Sequence, residues 1–224
     1  MSRKITNHEA GYLIMDEVDF QLPMMVAPVE WPVPVRINCD DWMLPCSDQG
    51  DDPCCAGEAV NGYAEYVNWR KHLSMKQLPG KVTYDKAKEI DNFPGPGTFL
   101  RFALKAAQLL GYIPEDWISQ RVDDPQAARY AMHRHGYIVL CGLNVTEGWN
   151  HADKDTGAID ESLDEPIGGH AVLYTHYDNE ANFDRGPNSW GEGWGDKGFW
   201  RMSHEAFQKQ YVTGLIITKP GGAV

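Results

Sequence analysis

No stretch of this chain reaches the roughly 18 consecutive apolar residues of a membrane-spanning helix, and no membrane partner is expected. Runs of Lys or Arg are also missing. The 20 basic residues are outnumbered by 32 acidic ones, for a formal net charge of -12, which argues against nucleic acid as a partner. Residues 1–30 begin MSRKITNHEA and contain no continuous apolar core of a secretory signal. An even cysteine count is absent: there are five, two of them adjacent at Cys54 and Cys55, which excludes a fully paired disulfide framework. A reducing compartment follows, cytoplasmic by expectation, with a virion as the competing address. His133, His135 and His151 have no ligand spacing with the cysteines, so zinc is not expected. Asp153, Asp155 and Gly157 form a D-x-D-x-G arrangement, but it lacks the third acidic position and terminal Glu of an EF-hand. An exposed acidic loop is the expectation there, with no metal and no cofactor. The chain shows neither internal repeats nor low-complexity tracts.

What is present is a globular composition. With 224 residues, 42% of them hydrophobic and 23% charged, the chain can bury one good core, or two small ones sharing an interface. Residues 20–50 hold Pro23, Pro28, Pro32, Pro34 and Pro45 and read as an extended, irregular lead-in. Beyond Pro53 the pattern turns helical. Ala56, Ala59, Val60, Tyr63, Ala64 and Val67 recur at helical spacing, which puts Cys55 in the first turn. Residues 83–91 read as a second helix, and 93–97 (FPGPG) as a loop. Thr98 reads as the N-cap of a third helix, which runs to about Leu110 and stops at Gly111. A fourth opens at Pro125 and closes at Gly136. From Tyr137 the texture becomes strand-like, with strands over 137–141, 171–175, 198–202 and 212–218 and an acidic loop over 146–166. Helices first and strands afterwards predict an α+β fold.

Four residue types stand in an order that suits acyl transfer. Gln49 precedes Cys55 by six residues; His170 lies in Gly168-Gly169-His170-Ala171-Val172; Asn188 opens Asn188-Ser189-Trp190-Gly191. Acyl transfer to a thiol needs an oxyanion donor, a nucleophile, a base and a group that orients the base. A thiol attacks as the thiolate, which a helix N-terminus or a neighbouring imidazolium favours.

These segments resemble those of the papain-like cysteine peptidases. The resemblance lies in the stretch 48–55 (DQGDDPCC), in the His170 segment, and in the long stretch 188–200 (NSWGEGWGDKGFW); the helix-then-Gly stretch 109–115 adds to it. The similarity spans roughly residues 31–218 and implies a two-lobed fold. A helical lobe over about 40–125 would carry Gln49 and Cys55. An antiparallel sheet or barrel lobe over about 126–218 would carry His170 and Asn188. Residues 1–30 would form an N-terminal extension, and 219–224 a tail. The implied activity is a cysteine endopeptidase that cleaves peptide or protein substrates through a thioester acyl-enzyme. Cys55 would be the nucleophile and His170 the base. Asn188 would orient the ring, and Gln49 would donate to the oxyanion. Trp190 would lie over the His–Asn bond. Gly97, Gly169, Trp190 and Trp194 would line the substrate cleft, the remaining tryptophans serving as core or cleft wall.

The chain departs from the family pattern at four points. Ala56-Gly57 replace the usual large residue after the nucleophile. Cys54 stands where Ser is common and is a rival thiol, and Asp52 occupies the usual position of a disulfide cysteine. The roughly 30 residues before the matching part are too few for a long helical pro-segment. Two alternatives stay open: a papain-like structural or binding protein without the chemistry, such as a virion component, and a Cys-His hydrolase of peptidoglycan cross-links.

Overall fold

A computed structural model describes residues 17–72 and 76–220. Residues 1–16 of the expected N-terminal extension, and 221–224 of the expected tail, lie outside it. The described residues form five α-helices and two antiparallel sheets, an α+β fold. The helices are α1 (Cys55–His72), α2 (Gly80–Asp91), α3 (Leu100–Leu109), α4 (Pro125–His135) and α5 (His204–Gln210). The strands are β1 (Arg36–Asn38), β2 (Ile118–Val122), β3 (Val139–Thr146), β4 (Pro166–Tyr174), β5 (His176–Asp178), β6 (Phe183–Pro187), β7 (Phe199–Ser203) and β8 (Tyr211–Thr218). One sheet has the order β1-β5-β6-β7 and the other β2-β8-β3-β4. The sheets meet where β4 runs into β5 across Thr175, so His170 lies on the strand that leads from one sheet into the other.

The helical reading of α1 holds in detail. Ala56, Val60, Tyr63 and Ala64, at helical spacing, are all buried, with Ala59 and Val67 beside them. This stripe packs on β4 and β3 and against α2 and α3. The caps of α4 also follow the sequence. Asp124 Oδ1 accepts from Ala127 N at 2.8 Å, Pro125 opens the helix, and Gly136 closes it in the left-handed region.

Some expectations need correction. Thr98 caps nothing: α3 begins two residues later with Phe99 at the cap, and the buried Thr98 hydroxyl has no hydrogen-bond partner. The buried start of α3 is held by packing instead. The strand β1 falls in the part that reads as an irregular lead-in, and β2 in the part that reads as helical. Both are edge strands, and β1 is three residues long with only its middle residue partly buried. Too little periodicity survives in such segments to mark a strand. The lead-in is irregular as expected but is bonded to the body. Met25 N donates to Arg121 O and Arg121 N to Pro23 O, and Arg101 pairs with the buried Asp19 at 2.7 Å.

A buried polar cluster anchors the strand-rich part. The fully buried Asp184 carboxylate on β6 accepts from Arg129 Nη2 of α4 at 2.8 and 2.9 Å and from Tyr174 OH at the end of β4. His204 Nδ1 of α5 lies 2.8 Å from it. A buried charge is tolerated when its partners satisfy it this fully, and removing one partner typically costs about 3–5 kcal/mol.

The small residues after Cys55 have a packing reason. A Cβ on Gly57 would come within 2.3 Å of Gly80 O and 2.9 Å of Tyr84 N, so α2 lies against α1 at backbone distance. A large residue here would push the start of α2 away. An exposed helical Gly→Ala change gains about 1 kcal/mol in propensity, whereas overpacking costs about 1–3 kcal/mol. Here the obstacle is backbone, so the cost wins. Gly57→Ala is therefore expected to lower the urea midpoint of unfolding; a midpoint unchanged or raised would contradict the close α1–α2 contact.

Candidate active site

Cys55 is the first residue of α1 and is fully buried. His170 is the fifth residue of β4, paired opposite Leu143, and 4% exposed. Asn188 follows β6 directly and is 6% exposed. Three features bring these distant parts together. The strand β4 packs on α1, and Ala59, one turn beyond Cys55, shares a cavity wall with Ala171, Asn188 and Ser189. The segment 47–49 also runs antiparallel to 189–191. Gln49 N donates to Ser189 O at 2.9 Å, Gly191 N donates to Ser47 O at 2.8 Å, and Asp48 bridges Trp190. Finally, the turn after Asn188 admits Cys46: a Cβ on Gly198, at φ +90°, would meet Cys46 Sγ at 2.6 Å.

His170 Nε2 lies 2.7 Å from Asn188 Oδ1. The same oxygen accepts the backbone N–H of Ser189 at 2.8 Å, which establishes it as the carbonyl oxygen of the amide. A carbonyl oxygen has no proton to give, so Nε2 is the donor. In the neutral ring the lone pair then sits on Nδ1. Trp190 stacks on His170 with centroids 4.9 Å apart at 29°, and Trp149 meets the ring edge-on at 5.9 Å. Trp194 stacks on Trp149 at 5.8 Å and donates its Nε1–H to Trp149 O at 3.0 Å. The His–Asn bond therefore sits in an aromatic enclosure, where a low local dielectric strengthens it.

Gln49 is 7% exposed and held at both ends of its amide. Oε1 accepts from Ser189 Oγ at 2.6 Å, and Nε2 donates to Asp52 O at 2.7 Å. The second N–H of Nε2 is not used by either bond. Gly169 pairs with Asn144 beside His170. Gly97 lies apart from the His–Asn pair, in the loop between α2 and α3, where Tyr84 OH accepts its N–H at 3.3 Å.

None of the five cysteines is in a disulfide. Burial pushes the Cys54 thiol up to about 12, with the Glu58 carboxylate beside it adding to the shift. Cys54 Sγ donates to Glu58 Oε1 at 3.8 Å. Burial pushes Cys46 up to about 12 as well. Neither thiol ionises near neutrality. Asp153 Oδ1 accepts from Asp155 N, Thr156 N and Thr156 Oγ1, so the D-x-D-x-G stretch is a self-bonded turn. Among the described residues, no group of three His, Cys, Asp or Glu side chains is arranged to hold a metal, and no helix is long and apolar enough to cross a membrane.

Two contributors escape the sequence reading. Ser189 ties Gln49 to the Asn188 segment through its hydroxyl and its carbonyl; its place between Asn188 and Trp190 was the available signal. Trp149 reads as undifferentiated wall, yet it touches His170, Trp190 and Trp194. Nothing in its local sequence distinguishes it.

The architecture and the site geometry together define a papain-like fold. Xylellain, a cysteine protease from Xylella fastidiosa, superposes with a TM-score of 0.73 at 16% identity, covering 98% of this chain and 99% of that one. Digestive procathepsin L 3 of Tenebrio molitor larval midgut gives a TM-score of 0.67 at 16% identity over 94% of this chain and 77% of its own. Procathepsin B S9 from Trypanosoma congolense gives 0.70 at 10% identity over 94% and 87%. No protein-family model and no curated protein matches the sequence.

Beneath the site, between α1, β4 and the segment 43–47, lies a cavity of about 40 Å3 lined in part by Glu58, Gly62 and Glu65. Burial raises the Glu65 carboxyl to about 7, against the Leu78 N–H that it accepts at 2.5 Å. A carboxyl raised on folding binds its proton more tightly in the native state. Its contribution is whole below the ordinary glutamate value of about 4.3 and is lost as pH rises through the folded value. Glu65→Gln keeps an acceptor for Leu78 and removes the charge. It is expected to flatten the decline of unfolding free energy between about pH 4.3 and pH 7 and to raise the denaturant midpoint at pH 8. A variant with the wild-type slope would exclude Glu65 as its source.

Proposed function

We propose that this protein is a cysteine peptidase, with Cys55 as nucleophile, His170 as acid and base, Asn188 as the residue that orients it, and Gln49 as oxyanion donor. The observation that carries the reading is the 2.7 Å bond between His170 Nε2 and Asn188 Oδ1 beneath Trp190, on a papain-like fold. That bond leaves Nδ1 to exchange a proton with the thiol.

The steps follow from these groups. The Cys55 thiol gives its proton to His170 Nδ1, and the N-terminus of α1 favours the resulting negative charge. The thiolate attacks the carbonyl carbon of a peptide bond, and the carbonyl oxygen becomes an oxyanion. The Cys55 backbone N–H and the second Nε2–H of Gln49 donate to it. His170 then protonates the leaving amine, and the C–N bond breaks to give a thioester. Water, deprotonated by His170, attacks the thioester; the acid leaves and the thiol returns. The substrate is an extended peptide or protein, in a cleft walled by Gly97, Gly169, Trp190 and Trp194. The Glu58 carboxylate, which accepts from Cys54 Sγ at 3.8 Å and adds to the rise of that thiol, supports Cys55 over Cys54 as the nucleophile.

An epoxide-type thiol inhibitor with a peptide arm, mapped by mass spectrometry at pH 7, tests this. Labelling is expected at Cys55, unchanged in Cys54→Ala, and lowered about 100-fold or more in His170→Ala, the scale of general acid–base assistance. Labelling at Cys54 would move the site by one residue. Folded protein that labels no faster than a free thiol would leave a papain-like scaffold without the chemistry. Labelled protein that cleaves cell-wall cross-links but no peptide or protein would point to a peptidoglycan hydrolase.

A further inference from the structure

We infer that Lys88 is a positioning residue for substrate: its ammonium holds the 93–97 loop in the shape that forms one edge of the cleft. The inference rests on the peptidase reading above. Lys88 is on the last turn of α2, and its Nζ, with three N–H donors, lies within hydrogen-bond distance of four oxygens. These are Asp91 Oδ2 at 2.9 Å, Phe93 O at 2.7 Å, Gly95 O at 3.1 Å and Gly97 O at 3.1 Å. The Asp91 side chain is fully buried, and its other oxygen accepts Phe93 N at 2.9 Å. Three successive odd-numbered carbonyls thus converge on one cation.

Nothing else organises the loop so fully. It contains two glycines and two prolines, belongs to no helix or strand, and holds no cysteine that could staple it. Among the described residues, the Tyr84 hydroxyl is a further polar tie of the loop, accepting Gly97 N. Tyr84 also places the loop. Its backbone N is the atom that a Cβ on Gly57 would strike at 2.9 Å, and Gly57 is two residues beyond Cys55. The loop therefore ends about one tyrosine's length from the start of α1. Carbonyls of like partial charge repel when turned inward, and a half-buried cation placed among them is what makes that arrangement favourable. Without the ammonium the loop opens, and an extended substrate loses backbone partners while the thiol, on a separate element, is untouched.

The test compares wild type, Lys88→Met, Lys88→Arg and Tyr84→Phe. Each is assayed with a fluorogenic peptide for kcat and KM, and with iodoacetamide, which is too small to need the loop, for the alkylation rate of Cys55. Lys88→Met is expected to raise KM about tenfold with kcat and the iodoacetamide rate unchanged, the pattern of lost ground-state positioning. Lys88→Arg is expected to recover part of the loss, because a guanidinium keeps the charge but spreads its donors in a plane. Tyr84→Phe is expected to move KM in the same direction by less, and it decides the matter if Lys88→Met does not fold. A KM unchanged in folded Lys88→Met overturns the inference, as does a parallel fall in kcat and alkylation rate, which would mean general loss of structure. Wild type that neither cleaves peptide nor shows accelerated alkylation overturns the peptidase reading itself, and the inference with it.

Discussion

The candidate site depends on a short antiparallel bridge between two segments some 140 residues apart. Gln49 N reaches Ser189 O, Gly191 N reaches Ser47 O, and Ser189 Oγ reaches Gln49 Oε1. The first segment leads into α1 and the proposed nucleophile; the second begins at Asn188. Without the bridge, the two parts of the site would be set by apolar packing of α1 on β4 and by the packing of Cys46 on Gly198. Apolar packing is strong but non-directional. Hydrogen bonds at 2.6 to 2.9 Å add the directional restraint that holds the Gln49 segment against the Asn188 segment.

The same few residues do several things at once. Asn188 Oδ1 takes the Ser189 amide and thereby leaves the His170 ring only one tautomer that satisfies both. Trp190 covers that bond and, through Asp48, belongs to the bridge. Trp149 buttresses the ring and gives its own indole N–H to Gln210 Oε1 at 2.8 Å, which links the aromatic enclosure to α5. Beneath α5, Asp184 collects Arg129, Tyr174 and His204. Helix α5 thus carries both His204, in contact with Asp184, and Gln210, in contact with the aromatic enclosure.

Much of this was legible in the sequence, for identifiable reasons. The helix α1 announced itself because one face is buried from Cys55 to Val67, and burial on a 3.6-residue period leaves a pattern. The ends of α4 were legible because Asp124, Pro125 and Gly136 act locally. The proposed nucleophile, base and orienting residue stood in segments whose order suits the proposed chemistry. The edge strands β1 and β2 left no comparable trace. Phe99, not Thr98, precedes α3, because packing rather than a side-chain cap sets that boundary. Ser189 and Lys88 were missed for a further reason. Their roles arise from partners brought by the fold or by a turn, and a hydroxyl or an ammonium at such a position looks like any other solvated side chain.

The central claim is that Asn188 holds the His170 ring with its proton on Nε2, so that Nδ1 faces the chemistry. Nitrogen-15 NMR of imidazole-labelled protein tests it most directly. The account predicts that the His170 Nε2 signal stays protonated, in the folded protein, through the whole pH range over which Nδ1 titrates. It further predicts that Asn188→Ala lets the proton exchange between the two nitrogens. A neutral ring with its proton on Nδ1 in the wild type would contradict the account, and with it the roles assigned to Asn188 and His170.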